Sequence, residues 1–269
     1  MPKYGLLTSA TKPIPVQIRK LVRLGFDYVE IGIEAPLATP ELIIRDKAHI
    51  LKSLRKYEMP SIGHTAYWVQ FGTSHNEARK GWVREAKHMI GAAHSLSLPY
   101  LNFHFNGGEG QTTEGKSFRK EFAETFAGSM RELSAFAAKK GVKLMLENAP
   151  IPESKRGAYS IKEFSYVIEN TPNLLVHLDI PHAFVEGGMP RIGDYIRKFH
   201  DKIVHLHVHD NNGQHDDHFA IGKGKINFKK AVKMLKSIDY NGTVTFEVFK
   251  SDKEAVTSRN IFQKLWESE

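Results

Sequence analysis

Seven side chains of related chemistry stand at comparable places in this chain. Glu30, His64, His104, Glu147, Asp179, His207 and Glu247 each fall at or near the end of a short apolar run. Carboxylate oxygens and imidazole nitrogens are hard or borderline donors, the set that takes a divalent ion such as magnesium, manganese, cobalt or zinc. There is no cysteine, so thiolate ligands and disulfides are excluded and any ion must be held by His, Asp and Glu. More candidates follow closely: His182 in Asp179-x-x-His182, then His209, Asp216 and His218. His182 would stand one turn past Asp179 and face the same way, as a ligand or as a hydrogen-bond partner to one.

Residues spread so widely along the chain need a frame that gathers them. Short apolar runs near 3–7, 27–33, 60–64, 99–104, 142–147, 174–179, 202–207 and 242–247 read as strands. Helical patterns follow each, at about 15–24, 40–57, 75–97, 118–140, 160–170, 190–200, 227–238 and 252–268. Thr39-Pro40-Glu41 has the order of a helix start, and Ser74-x-x-Glu77 and Ser160-x-x-Glu163 read as capping boxes. Gly25, Gly141 and Asn241-Gly242 stand where helices stop. Strict strand–helix alternation implies a parallel sheet with helical crossovers, and eight such units can close. The expected fold is α/β: a single (β/α)₈ TIM barrel, one domain over residues 1–269, a usual size for that architecture.

Side chains alternate across a strand, so parity sorts them. Val142, Leu144 and Leu146 oppose Lys143, Met145 and Glu147; Val204 and Leu206 oppose Ile203, His205 and His207. The apolar face should meet the helices and the polar face the barrel interior. The seven residues then become the last inward positions of strands 2 to 8, where the catalytic groups of such barrels sit. His177 and His205 read as hydrogen-bonded interior histidines one layer deeper. Buried ionisable groups are costly unless paired or bound to metal, so this polar interior needs a reason.

At these residues the chain resembles the xylose-isomerase-like barrel superfamily. The resemblance covers nearly the whole chain and is most specific in Leu146-Glu147-Asn148, in Leu178 to Phe184 (LDIPHAF), and in His205 to Gly224 (HLHVHDNNGQHDDHFAIGKG). The isomerase branch holds one divalent ion with Glu, Asp, His and Glu from strands 5 to 8, which implies Glu147, Asp179, His207 and Glu247 here. In the ketose 3-epimerases of that branch the two glutamates also move the proton of the reacting carbon. The resemblance therefore implies a divalent-metal-dependent isomerase or epimerase of a small sugar or sugar phosphate. The ion would chelate two substrate oxygens, and Glu147 and Glu247 would be acid and base through an enediolate. His182 would contact substrate oxygens, and Glu30 would orient hydroxyls.

The superfamily also contains endonuclease IV, a zinc phosphodiesterase acting on abasic-site DNA. Its three-zinc site maps onto His64, His104, Glu147, Asp179, His182, His207, Asp216, His218 and Glu247, all suitably occupied. Against that branch, its arginine-bearing loop after strand 2 is replaced by Glu30-Ile31-Gly32-Ile33-Glu34-Ala35-Pro36, whose acids would repel a phosphate backbone. A His-Pro-Gly usual after strand 4 is replaced by His104-Phe105-Asn106. A non-catalytic sugar-binding barrel is a third reading.

Other motifs are less specific. Ile221-Gly222-Lys223-Gly224-Lys225 precedes a helix that Asn227 can cap, and suits either a phosphate, with Lys223 as a substrate contact, or a plain turn. Tyr67, Trp68 and Phe71 suit a sugar-pocket wall, a wedge into DNA, or simple packing of their own loop. Loop 105–117, rich in glycine, reads as a lid or an insertion. A net charge of +8 attracts anions generally, but the lysines and arginines are spread along helices rather than clustered. No membrane helix and no secretory signal is read in the sequence, so the expected location is the cytoplasm. A homo-oligomer is left open.

Overall fold

Hydrogen bonds that cross between non-adjacent strands show at once where the polar face points. Glu30 on strand 2 meets His205 and His207 on strand 7, and Tyr28 meets Thr245 on strand 8. Only a closed lumen brings those strands face to face. The computed structural model describes residues 1–106, 116–150 and 160–269. Among these the strands are β1 (Lys3–Leu7), β2 (Tyr28–Ile33), β3 (Ser61–Thr65), β4 (Tyr100–His104), β5 (Lys143–Glu147), β6 (Leu175–Asp179), β7 (Ile203–Val208) and β8 (Thr243–Phe246). They pair in parallel, each with the next and β8 with β1, into a closed barrel. The helices are α1 (Ile14–Arg23), α2 (Pro40–Lys56), α3 (Asn76–Ser95), α4 (Lys116–Ala138), α5 (Ile161–Glu169), α6 (Ile180–Lys198), α7 (Phe228–Lys236) and α8 (Asp252–Ser268). The (β/α)₈ barrel expected from strand–helix alternation is the fold observed.

The outer layer follows from the apolar parity. Leu144, Leu146, Val176, Leu178, Leu206, Val244 and Phe246 are buried against the helices. Phe105, Phe122, Phe126 and Phe164 form a tilted ring cluster joining β4, α4 and α5, with centroids 5.1–5.8 Å apart. Such contacts hold the strand ends rigid, which is what a site built from several strands requires.

Local punctuation mostly matches expectation. Thr39 caps α2 by accepting the Leu42 N–H, Ser160 caps α5, and Asn227 caps α7. Gly25 and Gly141 take the left-handed conformation just past helix ends, at φ +72° and +70°. The turn after α7 is made by Asp239 at φ 53°, three residues before Gly242.

Three expectations need correction. α3 is capped by no side chain: His75 is its N-cap residue, and Glu77 pairs with Lys80 rather than with Ser74. α6 begins ten residues earlier than periodicity suggested, because the Asp179 carboxylate accepts the His182 N–H and Pro181 favours a first turn. The later start at 190 reflects a break, where Gly187 and Gly188 leave helical geometry. Finally, β2 ends at Ile33 as expected, but its last inward position is Gly32, the residue paired with His64, and not Glu30. Glu30 therefore lies one inward position below the mouth and is completely buried. No described helix is long and apolar enough to cross a membrane.

Below that level the lumen is closed by Tyr28, whose hydroxyl meets Thr245 Oγ1 at 2.6 Å. Gly5 makes room for that ring, since a Cβ there would fall 2.5–2.7 Å from ring atoms. Gly5→Ala should therefore destabilise the fold by about 1–3 kcal/mol through overpacking, read from urea unfolding midpoints. A neutral result would show that the ring has space to move.

Candidate metal centre

Glu147, the last residue of β5, stands in the middle of the mouth. Its Oε2 lies 3.1 Å from His104 Nε2, 3.2 Å from His177 Nδ1 and 3.5 Å from His64 Nε2. Asn102 Nδ2 donates to the same oxygen at 2.6 Å and so sets the carboxylate's rotation. Oε1 faces the other way, 3.4 Å from His182 Nδ1 and 4.0 Å from His207 Nδ1. His207 Nδ1 is also 3.3 Å from Glu247 Oε2 and 3.8 Å from Asp179 Oδ2. Donors on one ion at about 2.0–2.2 Å are separated by roughly 3–4 Å, and Glu147, Asp179 and Glu247 each have an oxygen 3.3–4.0 Å from His207 Nδ1. Asp179 Oδ2 and His207 Nδ1 are buried and take part in no hydrogen bond. Buried polar atoms are rarely left so, and a cation would satisfy both. The residues fit a divalent ion.

A second convergence lies beside the first. Asp216 Oδ2 is 3.2 Å from His182 Nε2 and 3.0 Å from His218 Nε2, and Asp216 Oδ1 is 3.1 Å from His209 Nε2. His182 Nδ1 contacts the Asn148 carbonyl at 2.7 Å, and His218 Nδ1 the Glu247 carbonyl at 3.0 Å. With those nitrogens donating to carbonyls, each Nε2 donates to Asp216 while the ring is charged, and offers a lone pair to an ion once that proton is lost. His64 and His104 complete the rim on the β3–β4 side, with ring centroids 4.7 Å apart.

Two residues that parity did not single out hold these groups in place. Asn148 donates to the Asp179 carbonyl at 3.0 Å and accepts the Asp179 N–H at 2.9 Å. It thereby ties the end of β5 to the end of β6. Asp210, completely buried, accepts N–H groups of Asn211, Gly222, Gly224 and Ile226. It closes the loop that carries Asp216 and His218. The only trace of this in the sequence was an acid one residue past the HLHVH run.

That finding corrects the phosphate reading of residues 221–225. Their N–H groups are taken by Asp210, by the Ser258 hydroxyl and by carbonyls of Ala220 and Asn211, and Lys223 pairs with Glu254 at 2.8 Å. Glu30, expected to orient substrate hydroxyls, is fully buried beneath His207 and bonded to it. Phe71 is core, packed on Phe103 and Phe126. Tyr67 remains 66% exposed, and Trp68 is 41% exposed with its ring edge toward Trp82. Residues 107–115 of the glycine-rich loop lie outside the described residues.

Comparison with known proteins accords with this architecture. A family model described as a xylose isomerase-like TIM barrel matches residues 18–265. The chain belongs to that family. Within the xylose isomerase-like family, an L-ribulose 3-epimerase from Methylomonas sp. is 25% identical over 91% of this chain and 82% of its own. A probable endonuclease 4 from Haloquadratum walsbyi is 27% identical, over 62% of each chain. A crystal structure of a D-tagatose 3-epimerase-like protein superposes with a TM-score of 0.83 at 24% identity, covering 99% of this chain and 97% of that one, which shows the shared fold.

Electrostatics explains how so many ionisable groups of a xylose isomerase-like mouth coexist. Burial pushes the Asp179 carboxyl up to about 6, despite His182 and His209 nearby. Burial also works against charge at Glu247, but His207 outweighs it and holds that carboxyl at about 2. Burial disfavours the His182 and His207 cations, yet Asp179 and Asp216 in one case, and Glu247 and Glu30 in the other, raise both rings well above the ordinary range. A cation entering this mouth must displace the protons on those rings. Calorimetric titration with manganese in buffers of different ionisation enthalpy should show proton release, with affinity falling from neutral pH downward as the rings hold their protons and falling further through about 6 as Asp179 takes one. Binding without proton release would contradict these charge states. In the metal-free protein, the raised Asp179 carboxyl favours folding at acid pH, and that contribution is lost as pH rises through about 6. Asp179→Asn keeps a capping side chain and should raise the metal-free melting temperature at pH 8 but not near pH 4, while removing tight metal binding.

Proposed function

We propose that this chain is a divalent-metal-dependent isomerase or epimerase of a small open-chain sugar. The observation that carries this reading is the pair Glu147 and Glu247. They come from strands three places apart in the barrel, and each has a carboxylate oxygen within 4.0 Å of His207 Nδ1. A bound divalent ion supplies Lewis acidity at the substrate carbonyl, which acidifies the neighbouring carbon–hydrogen bond.

The chain's own residues then move the proton. Both carboxylates are ionised at neutral pH, since neighbouring imidazoles more than offset their burial. One of them takes the proton from the carbon next to the carbonyl, leaving an enediolate, and as the carboxylic acid so formed returns it to carbon after the substrate has turned; the other carboxylate can do so only once it has taken up a proton from solvent. Return to the opposite face of the same carbon gives the epimer, and return to the neighbouring carbon gives the aldose–ketose isomer. His182, fixed through Nδ1 to Asn148 and facing Asp216 with Nε2, would meet a substrate oxygen through that same Nε2 edge of the mouth. Tyr67 and Trp68 stand on the exposed loop that follows β3 and would wall the pocket. The long match to the L-ribulose 3-epimerase supports this branch.

The convergence of His182, Asp216 and His218 on one point favours a second reading, an endonuclease IV-like zinc phosphodiesterase acting on abasic-site DNA. With Glu30 sunk below the mouth, the repulsion expected of strand 2 rests on Glu34 alone.

Turnover of ketopentoses and ketohexoses by the manganese-loaded enzyme in deuterated water should place one deuterium on carbon. Glu247→Gln should still bind sugar and lose the exchange by about 10²–10⁴-fold. Product without deuterium would mean a hydride shift, with both glutamates acting as ligands only. Cleavage of abasic duplex DNA, with binding that weakens steeply as salt rises, would establish the second reading instead.

A further inference from the structure

We propose that Glu30 is a positioning residue that fixes His207 as an Nδ1 ligand by accepting its Nε2–H from inside the barrel. This rests on the reading of His207 as a ligand in the mouth. A neutral imidazole has one N–H and one lone pair. For Nδ1 to offer its lone pair toward Asp179 and Glu247, the proton must sit on Nε2 and find an acceptor below. Glu30 Oε2 lies 3.0 Å from that nitrogen, from β2 on the far side of the lumen. Both side chains are fully buried.

A carboxylate suits this place better than an amide or hydroxyl would. It only accepts, so it enforces one tautomer, whereas an amide can turn its NH₂ toward the ring and permit the other. The neighbouring histidine obeys the same rule. His205 Nε2 is 3.3 Å from the same Glu30 oxygen, and His205 Nδ1 is 2.7 Å from Thr243 Oγ1. With the threonine hydroxyl donating, His205 also carries its proton on Nε2. One oxygen thus receives two imidazole N–H groups, and the run Thr243–His205–Glu30–His207 orders the lumen from the start of β8 up to the mouth. Glu30 Oε1 takes no hydrogen bond, so the carboxylate is oriented by the two rings and by little else. A carboxylate behind a ligating imidazole also raises its donor strength.

The test is metal affinity together with the position of a proton. Zinc binding measured by chelator competition should be about 10–100-fold weaker in Glu30→Gln than in the unchanged protein. His205→Gln should weaken binding by much less, because the His207–Glu30 bond survives. Melting temperatures of the metal-free variants report whether each is folded. Long-range proton–nitrogen spectra of the zinc-loaded protein, labelled at histidine nitrogens, should place the His207 proton on Nε2. Unchanged zinc affinity in a folded Glu30→Gln variant would overturn the proposal. So would a His207 proton on Nδ1, a result that the unchanged protein gives even if Glu30→Gln does not fold. Zinc bound tightly with either of these results would leave the metal reading standing. No zinc uptake by the unchanged protein would overturn both.

Discussion

Carboxylates and imidazoles removed from water are costly unless each meets an opposite charge, a hydrogen bond or a metal. In this barrel the side chains of Glu30, Glu147, Asp179, His207 and Glu247 are all buried, and each of the four carboxylates comes within 3.0–4.0 Å of the His207 ring. Protons on His182 and His207 offset part of that charge, and backbone amides and Asn side chains offset more. Buried polar atoms that still take no hydrogen bond run from Glu30 Oε1 and His177 up to the mouth, where they include Asp179 Oδ2 and His207 Nδ1. A cation there would resolve part of the imbalance that the polypeptide leaves. The rest of the structure serves to keep these groups from relaxing apart.

That service is visible in the second layer. Asn102 holds Glu147, Asn148 joins Asp179 to β5, and Asp210 gathers the loop behind Asp216 and His218. Asn102 binds the carboxylate itself, and Asn148 and Asp210 use short side chains against backbone groups, which ties the donor positions to the barrel frame. Inside this xylose isomerase-like fold a hydrogen-bonded run of Thr243, His205, Glu30 and His207 leads up to the mouth.

Much of this was legible before the structure. A period-two alternation in strands 5 to 8 put Glu147, Asp179, His207 and Glu247 on one face, and the register of a closed parallel barrel brought them together. Glu30 was misplaced although the end of β2 was read correctly, because the next inward position, Gly32, carries no side chain and left Glu30 as the last one to see. Lys223 was misread for another reason. A glycine-rich turn before a helix offers N–H groups, and sequence does not tell that a buried Asp210 has already taken them. The early start of α6 was written in Asp179-Ile180-Pro181, but the glycine pair at 187–188 masked the helical period around it. Asn148 and Asp210 act through main-chain contacts, which leave no spacing pattern to read.

The account stands on one centre shared by four strand ends, and anomalous diffraction tests it directly. Crystals soaked in manganese should show an anomalous peak at the manganese edge bounded by Glu147, Asp179, His207 Nδ1 and Glu247. A mouth without such a peak, or an ion held without Asp179 and His207, would contradict it.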